Sequence, residues 1–363
     1  MNDLYLNKLI EKLKESDFDA VLLSPGEELT FLIDYKIMLC ERFQGLFVKA
    51  DGGMFYICNL LYKDELDAVL KNDIRVYTWF DGDVMTDVVA EVFKQEGLLG
   101  KTIGVNTTAQ SVNILEIMDK TDVIFKNGKP LLEEMRIIKT PEELNNLRKS
   151  SELVDKVFEE VLSIIKPGVT EKEIGTFLLD KMAELGGENP ECIVAFGPNA
   201  SYPHYIGDSA VAKEHEIVLM DYGCTVGGMY SDTTRTVFIG EPTKREREYY
   251  ELVKRANLEA EKLVCENAYI PEIDKKAREI LDEKGLAWTL VNRLGHGVGY
   301  TIHEAPDIKQ SNPMYLKKGM AFSIEPGIYL GGDIGIRIED VVIVNEQGEC
   351  EVLNKTTKEI VVL

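Results

Sequence analysis

The stretch Met220-Asp221-Tyr222-Gly223-Cys224-Thr225-Val226-Gly227-Gly228-Met229-Tyr230-Ser231-Asp232 decides how this chain is read. Apolar, strand-forming residues lie on both sides of glycines, and the two aspartates sit symmetrically about Val226-Gly227. A two-residue turn at that point makes Asp221 and Asp232 direct cross-strand neighbours. The segment AFSIEPGIYLGGDIGIRIED, residues 321–340, repeats the pattern, with Glu325 and Glu339 flanking Gly331, Gly332 and Asp333. Directly opposed side chains lie roughly 4.5–5.5 Å apart at Cβ, and like charges in that position repel. Acids inside apolar strands also face costly burial unless something pairs with them. Cations between the acids resolve both problems. His296 in LGHGVGY falls between the two acid pairs and completes the donor set of a dinuclear metal site. An imidazole among carboxylates points to a transition metal rather than calcium, whose sites favour oxygen alone.

Each of these residues taken singly has an ordinary reading. An Asp or Glu on a strand of an acid-rich chain is usually a solvated face residue, and a lone histidine is more often packed in a core than bound to metal. The chain has only four histidines, however, and three stand in special contexts: His204 in FGPNASYPHYIG, His296, and His303 in YTIHEAP. Glycines on either side of His296 let the backbone approach closely and leave the ring accessible. His215, in KEHEIV, reads as a surface residue at a strand entrance.

A chain of 363 residues exceeds the usual size of one hydrophobic core, so two domains are expected. Hydrophobic residues make up 45% and charged residues 29%, ordinary values for a globular protein. Acids outnumber bases 63 to 41, and the formal charge of -22 repels phosphate backbones and anionic lipid surfaces, which argues against nucleic acid and membrane as partners. The N-terminal MNDLYLNKLIEKLKES is a charged amphipathic helix without signal-peptide features, and no run of about 18 apolar residues follows, so a cytoplasmic location is expected. Six scattered cysteines without a CxxC pair fit reduced, mostly buried thiols.

The first ~130 residues alternate helical and strand patterns, with apolar runs AVLLS, GLFVK, MFYIC, IRVYTW and TIGVN, and read as a small α/β domain. A helical region follows, in which Thr140, Pro141 and Glu143, and then Thr170 and Glu173, form two capping-box helix starts. After Gly187 strand patterns dominate, interrupted by helical stretches between Lys244 and Lys284. Helices followed by an antiparallel sheet suggest an α+β domain with helices covering one sheet face. The acid hairpin, occurring near residues 226 and 332, hints at two related halves.

Together, PNASYPHY, MDYGCTVGGMYSDTTRT, GHGVGYTIHEAP and MAFSIEPGIYLGGDIGIRIED resemble the pita-bread metallopeptidases, specifically the Xaa-Pro dipeptidases (prolidases) and Xaa-Pro aminopeptidases (aminopeptidase P). The resemblance covers the catalytic half with all five ligand positions in order. It implies an α+β fold: a creatinase-like α/β N-terminal domain over residues 1–128, then a pita-bread catalytic domain over 129–363 with a curved antiparallel sheet and covering helices. By the same resemblance Asp221 and Asp232 bind metal, Asp221 in bidentate fashion and Asp232 bridging, while His296 and Glu325 complete the other ion's shell and Glu339 bridges both. Two divalent ions are implied, Mn²⁺ or Co²⁺ ahead of Zn²⁺ or Fe²⁺, and a hydroxide shared between them would attack the scissile carbonyl. Glu325 would shuttle the proton, His303 would stabilise the oxyanion, His204 would hold the peptide, and Arg337 would steady the site or simply balance Glu339 and Asp340. The implied substrate is a small peptide with proline second, and the implied assembly a homodimer. Two other readings are a non-catalytic peptide- or protein-binding module on the same scaffold and a creatinase-like C–N hydrolase; both are disfavoured by the complete ligand set. One departure stands out: many dipeptide-specific relatives carry a basic residue after the HExP segment, whereas here HEAP is followed by Asp307, which leaves longer peptides open.

Overall fold

Short apolar runs form the strands of the first unit in the computed structural model, which describes residues 1–70 and 74–363. They are β1 (Ala20–Leu23), β2 (Gly45–Lys49), β3 (Met54–Asn59), β4 (Arg75–Trp79) and β5 (Thr102–Val105), joined by β6 (Ile124–Asn127). The last of these is an edge strand whose IFKN sequence is too polar to stand out. The sheet runs β4-β3-β2-β1-β5-β6. Its core stacks Phe47 on Phe55, ring centroids 4.7 Å apart, with Phe93 edge-on. The accompanying helices are α1 (Asp3–Lys14), α2 (Glu27–Ile33), α3 (Lys63–Val69), α4 (Met85–Gln95), α5 (Ser111–Lys120) and α6 (Lys129–Arg136). Helix α6 packs on α1, where Lys12 Nζ lies 2.5 Å from Glu134 Oε2. It therefore belongs to the first unit, Met1–Arg136, and the chain divides there rather than at residue 128; the second unit is Ile137–Leu363.

In the second unit α7 (Pro141–Val161) and α8 (Glu171–Glu184) begin at the capping boxes of Thr140 with Glu143 and Thr170 with Glu173. A third box, Thr243 with Glu246, opens α9 (Lys244–Glu261), which is followed by α10 (Ile270–Asp282). The strands are β7 (Glu188–Phe196), β8 (Glu216–Val226), β9 (Met229–Tyr230), β10 (Thr233–Ile239), β11 (Gly295–Gly297), β12 (Glu304–Ile308), β13 (Ala321–Ile324), β14 (Gly327–Leu330), β15 (Ile334–Arg337), β16 (Asp340–Val344) and β17 (Cys350–Val352). They pair in the orders β10-β8-β7 and β12-β11-β13-β16-β17, with β14-β15 as a separate ribbon. Two helices thus precede three successively paired strands in each half: β7-β8-β10 after α7 and α8, and β11-β13-β16 after α9 and α10. Val157 and Leu178 pack on Val218 and Val237 in the first half. Val253 and Ala277 pack with Phe322 and Val342 in the second. Each large side chain fully removed from water there contributes about 1.5–3 kcal/mol before entropy is counted.

The two acid hairpins differ in how they meet expectation. Gly327 pairs with Arg337 and Ile324 with Asp340, and that unbroken register sets Glu325 directly opposite Glu339, as expected from a loop centred on Gly332. The first hairpin corrects the expectation by one residue. Val226 pairs with Met229, so the turn is Gly227-Gly228, and Asp221 opposes Thr234 rather than Asp232. The reason is backbone conformation: φ is +56° and +76° at the two turn residues. A type I′ turn needs positive φ at both, which glycine adopts freely and the β-branched Val226 resists. Asp232 consequently lies two residues along the strand from Asp221's partner, on the same face.

The halves are stitched where Thr234 bridges to Glu339. Arg235, 1% exposed, crosses this seam: its guanidinium donates to the carbonyls of Glu339 and Thr356 and to Asp340 Oδ1, and its Nε to the carbonyl of Thr357. Removing one partner of a buried ion pair costs about 3–5 kcal/mol because the other charge is stranded. Arg235→Met is therefore expected to lower the unfolding free energy by about 3 kcal/mol or more in urea titration, even with Lys358 still 2.9 Å from Asp340. A loss below about 1 kcal/mol would show that the seam is held elsewhere.

Candidate metal centre

Strand β8 carries Asp221, the segment between β9 and β10 carries Asp232, β11 carries His296, Glu325 directly follows β13 and Glu339 directly precedes β16. His296 reaches the site because Gly295 and Gly297 let β11 press between its neighbours: a Cβ on Gly295 would lie 1.9 Å from the Ser323 carbonyl oxygen, and one on Gly297 2.2 Å from that of Ala305. These glycines do not open the ring to solvent as expected; His296 is 3% exposed. Its Nδ1 lies 3.2 Å from the Gly297 carbonyl oxygen, which can only accept, so the proton resides on Nδ1. The bare Nε2 then faces Asp232 Oδ2 and Glu325 Oε1, each at 3.4 Å, and Glu339 Oε1 at 4.0 Å. A lone pair aimed at three carboxylate oxygens is repulsive unless a cation lies among them.

The electrostatics of the site agree. Burial, then Glu339, Asp221 and Glu325, push Asp232 well above the ordinary carboxylate range. Burial and Glu339 do the same to Glu325, and burial with Asp221 pushes Glu339 up to about 7. Burial, His303 and Arg293 hold His296 well below the usual histidine value, so it is neutral near pH 7. Donor atoms of Asp232, His296 and Glu339 all lie within 4.8 Å of one another, a set compatible with a divalent transition metal.

Asp221 lies on the same cavity wall but is held differently, with Arg337 Nη2 donating to Oδ2 at 2.6 Å. Arg337 also donates from Nε to Thr234 Oγ1 (2.8 Å) and from Nη1 to Tyr329 OH (2.8 Å), and Thr234 Oγ1 donates to Glu339 Oε2 at 2.6 Å. Arg337 is thus no countercharge to Asp340, whose partners are Arg235 and Lys358. The cluster opens into a cavity of about 620 Å³ that His204 and His303 also line. His303 stands edge-on to His296, ring centroids 4.2 Å apart, and His204 is exposed. His215 is exposed just before β8.

All eight residues singled out in the sequence therefore face one cavity. Several neighbours were not foreseen: Asn292, whose Nδ2 donates to Glu325 Oε2 at 3.4 Å, Tyr329 beneath Arg337, and Arg293 and Lys309 on the cavity wall. Arg293 stands three residues before His296, but a lone loop arginine in a highly charged chain has no periodicity to mark it. Cys192 also lines the cavity, its thiol pushed up to about 11 by burial and Asp221. Of the six cysteines, all free, only Cys58 and Cys224 are fully buried, fewer than expected.

Comparison with known proteins gives this geometry its family. The model of metallopeptidase family M24 matches residues 145–346, and that of the creatinase/prolidase N-terminal domain matches residues 6–138. The chain belongs to metallopeptidase family M24. This M24 enzyme, a metal-dependent peptidase, is 34% identical over 339 residues to the "Probable dipeptidase PepE" of Mycobacterium bovis, covering 92% of this chain and 90% of that protein. It is 31% identical to the Xaa-Pro dipeptidase of Lactobacillus helveticus, with 94% of this chain and 95% of that one covered. The crystal structure of recombinant prolidase from Thermococcus sibiricus superposes on it with a TM-score of 0.89 at 30% identity, spanning 100% of this chain and 98% of that one. The pita-bread architecture with a creatinase-type N-terminal domain is the fold of the M24 enzyme described above.

A pH dependence follows. Acids whose folded-state pKa is raised bind protons more tightly folded than unfolded, so in metal-free protein their contribution falls as pH rises from the ordinary carboxylate value towards about 7. Metal ions require the same groups deprotonated. Between about pH 5 and about pH 8 the metal-free melting temperature should fall, and the gain on adding excess Mn²⁺ should grow, as read by differential scanning calorimetry. A gain that does not vary with pH would contradict the burial of these acids around a shared cation.

Proposed function

We propose that this chain is an Xaa-Pro dipeptidase, hydrolysing the bond between an N-terminal residue and a following proline. The observation that carries the reading is the meeting of three buried carboxylates at the bare Nε2 of His296. The names of the relatives, an Xaa-Pro dipeptidase and a prolidase that match over nearly their whole length, support the choice of substrate. Retention of the full donor set disfavours both a binding module and a creatinase-like hydrolase.

Asp221, Asp232, His296, Glu325 and Glu339 would hold two divalent ions, Mn²⁺ or Co²⁺ in our reading, which when bound supply an activated water and a Lewis acid for the scissile carbonyl. The remaining work falls to the chain itself. Glu325, with its raised proton affinity and its Oε2 beside the Asn292 amide, takes a proton from the attacking water and passes it to the leaving nitrogen. Proline's nitrogen belongs to a tertiary amide and carries no hydrogen, so it departs as an amine only after receiving that proton. His303, which burial and then Arg293 hold below the usual histidine value, is neutral near pH 7 and donates its N–H to the developing oxyanion. His204, on the rim, steadies the peptide. Arg337 keeps Asp221 oriented through one arm of its guanidinium while Tyr329 and Thr234 fix the others. We further propose a cytoplasmic homodimer; among the described residues no helix is long and apolar enough to cross a membrane.

Hydrolysis of Ala-Pro, Ala-Pro-Ala, Met-Ala-Ser and creatine, each with and without Mn²⁺, tests the reading. Mn²⁺-dependent release of proline from Ala-Pro is expected, and turnover confined to creatine or Met-Ala-Ser would overturn it. Glu325→Gln should lower kcat by about 10²–10⁴ while the circular dichroism spectrum is retained. Wild-type turnover in that variant would remove the proton shuttle.

A further inference from the structure

Glu171 is a buried acid that takes no part in the chemistry of the cavity. It stands at the first position of α8, just after the capping Thr170, and only 1% of it is exposed. Burying a carboxylate is costly unless hydrogen bonds replace the water it loses. Four donors do so here, and all four belong to one stretch of chain, residues 196–210. Oε1 accepts from the Phe196 backbone N–H and from Asn199 Nδ2, each at 2.9 Å. Oε2 accepts from the Tyr205 hydroxyl and from the Ala210 backbone N–H, each at 3.1 Å. None of these four donors is charged, so the carboxylate is a hub of hydrogen bonds rather than half of an ion pair.

The hub gathers both ends of the segment that carries His204. Phe196 closes β7, and Ala210 precedes the bridge from Val211 back to Thr170. Asn199 lies in the short 3-10 helix Gly197–Ser201, and its amide also donates to the Tyr205 hydroxyl at 2.8 Å. Tyr205 directly follows His204. At Ala200 and Ser201 the segment also abuts the β14-β15 ribbon: Gly332 N donates to Ser201 Oγ at 2.9 Å, and a Cβ on Gly335 would lie 1.8 Å from the Ala200 carbonyl oxygen. His204 lines the cavity, and among the described residues its ring makes no hydrogen bond. The ring is therefore placed by the backbone that carries it.

We propose that Glu171 is a positioning residue for the reaction, holding residues 196–210 so that His204 meets the bound peptide. This rests on the peptidase reading above and deepens it by naming what places one of the substrate contacts. A glutamine at position 171 keeps the size of the side chain but exchanges one acceptor oxygen for an NH₂ group that can only donate. Whichever oxygen is exchanged, a backbone N–H, that of Phe196 or of Ala210, is left facing another donor. The segment must then shift. A displaced contact on the rim weakens the hold on the peptide in ground and transition states alike, so the loss falls on KM.

Hydrolysis of Ala-Pro by wild type, Glu171→Gln, His204→Ala and the double variant tests this. Glu171→Gln and His204→Ala should each raise KM by about tenfold while kcat stays within about twofold of wild type. In the double variant the two effects should not add, because the segment has no histidine left to place. Tyr205→Phe removes a single donor and should raise KM by less; should Glu171→Gln fail to fold, the same cycle is run with Tyr205→Phe. Effects that multiply in the double variant, or a lowered melting temperature with KM unchanged, would reduce Glu171 to a structural part and overturn the proposal. Histidine NMR reads the same claim without turnover. The chain has four histidines, so ¹³C-labelled rings give few resonances, and that of His204 is the one lost in His204→Ala. In Glu171→Gln it should move or broaden while that of His215 stays in place. An unchanged His204 resonance would overturn the positioning role whatever peptide the protein cleaves, which separates its failure from failure of the peptidase reading.

Discussion

Mutual repulsion among carboxylates packed into one small volume governs this molecule. Two unit charges 4 Å apart interact by about 4 kcal/mol at an effective dielectric constant of 20, and here three acids meet at His296 Nε2 with a fourth, Asp221, on the same wall. One guanidinium, that of Arg337, is too little countercharge for four. The fold nevertheless brings these groups together on one cavity wall, and in the proposed site the energy that would otherwise separate them becomes the energy with which they would bind cations. Burial sharpens the effect, because the same low-dielectric surroundings that make the acids repel also make a bound cation attract them strongly.

The two-half construction explains why the site lies where it does. Each half contributes a β-sheet covered by two helices, and each sheet contributes acids: Asp221 on β8 and Asp232 just before β10 in the first, Glu325 just after β13 and Glu339 just before β16 in the second. The bridge between Thr234 and Glu339 joins the two halves beside those acids. Thr234 serves both sides at once, accepting from Arg337 and donating to Glu339. Arg235 locks the backbone of the same seam from beneath. A site built between two rigid sheets holds its donors more firmly than loops would, which suits a centre that must keep repelling groups close.

Much of this was legible in the sequence, for identifiable reasons. Capping boxes announce α7 and α8 because the Thr and Glu side chains satisfy specific orphan backbone groups. The Glu325–Glu339 register followed from a three-residue loop with glycines at its centre. Symmetry about Asp221 and Asp232 places the first turn one residue early, because positive φ at two adjacent residues selects Gly227-Gly228, not Val226-Gly227. The glycines flanking His296 grant close approach of the backbone, and close approach excludes water, so the ring is buried rather than accessible. Arg293 and Lys309 lay beyond sequence reasoning because their meaning is spatial. Asp307, which read as a missing cation, instead gathers two from either side of the HEAP segment.

The central claim is that cations sit where the acids meet. A crystal soaked in Mn²⁺ and measured at the manganese absorption edge tests that most directly. Anomalous difference peaks are expected among Asp221, Asp232, His296, Glu325 and Glu339, with the five side chains arranged around them. The same five side chains in place with no anomalous density between them, or turned out towards solvent, would contradict it.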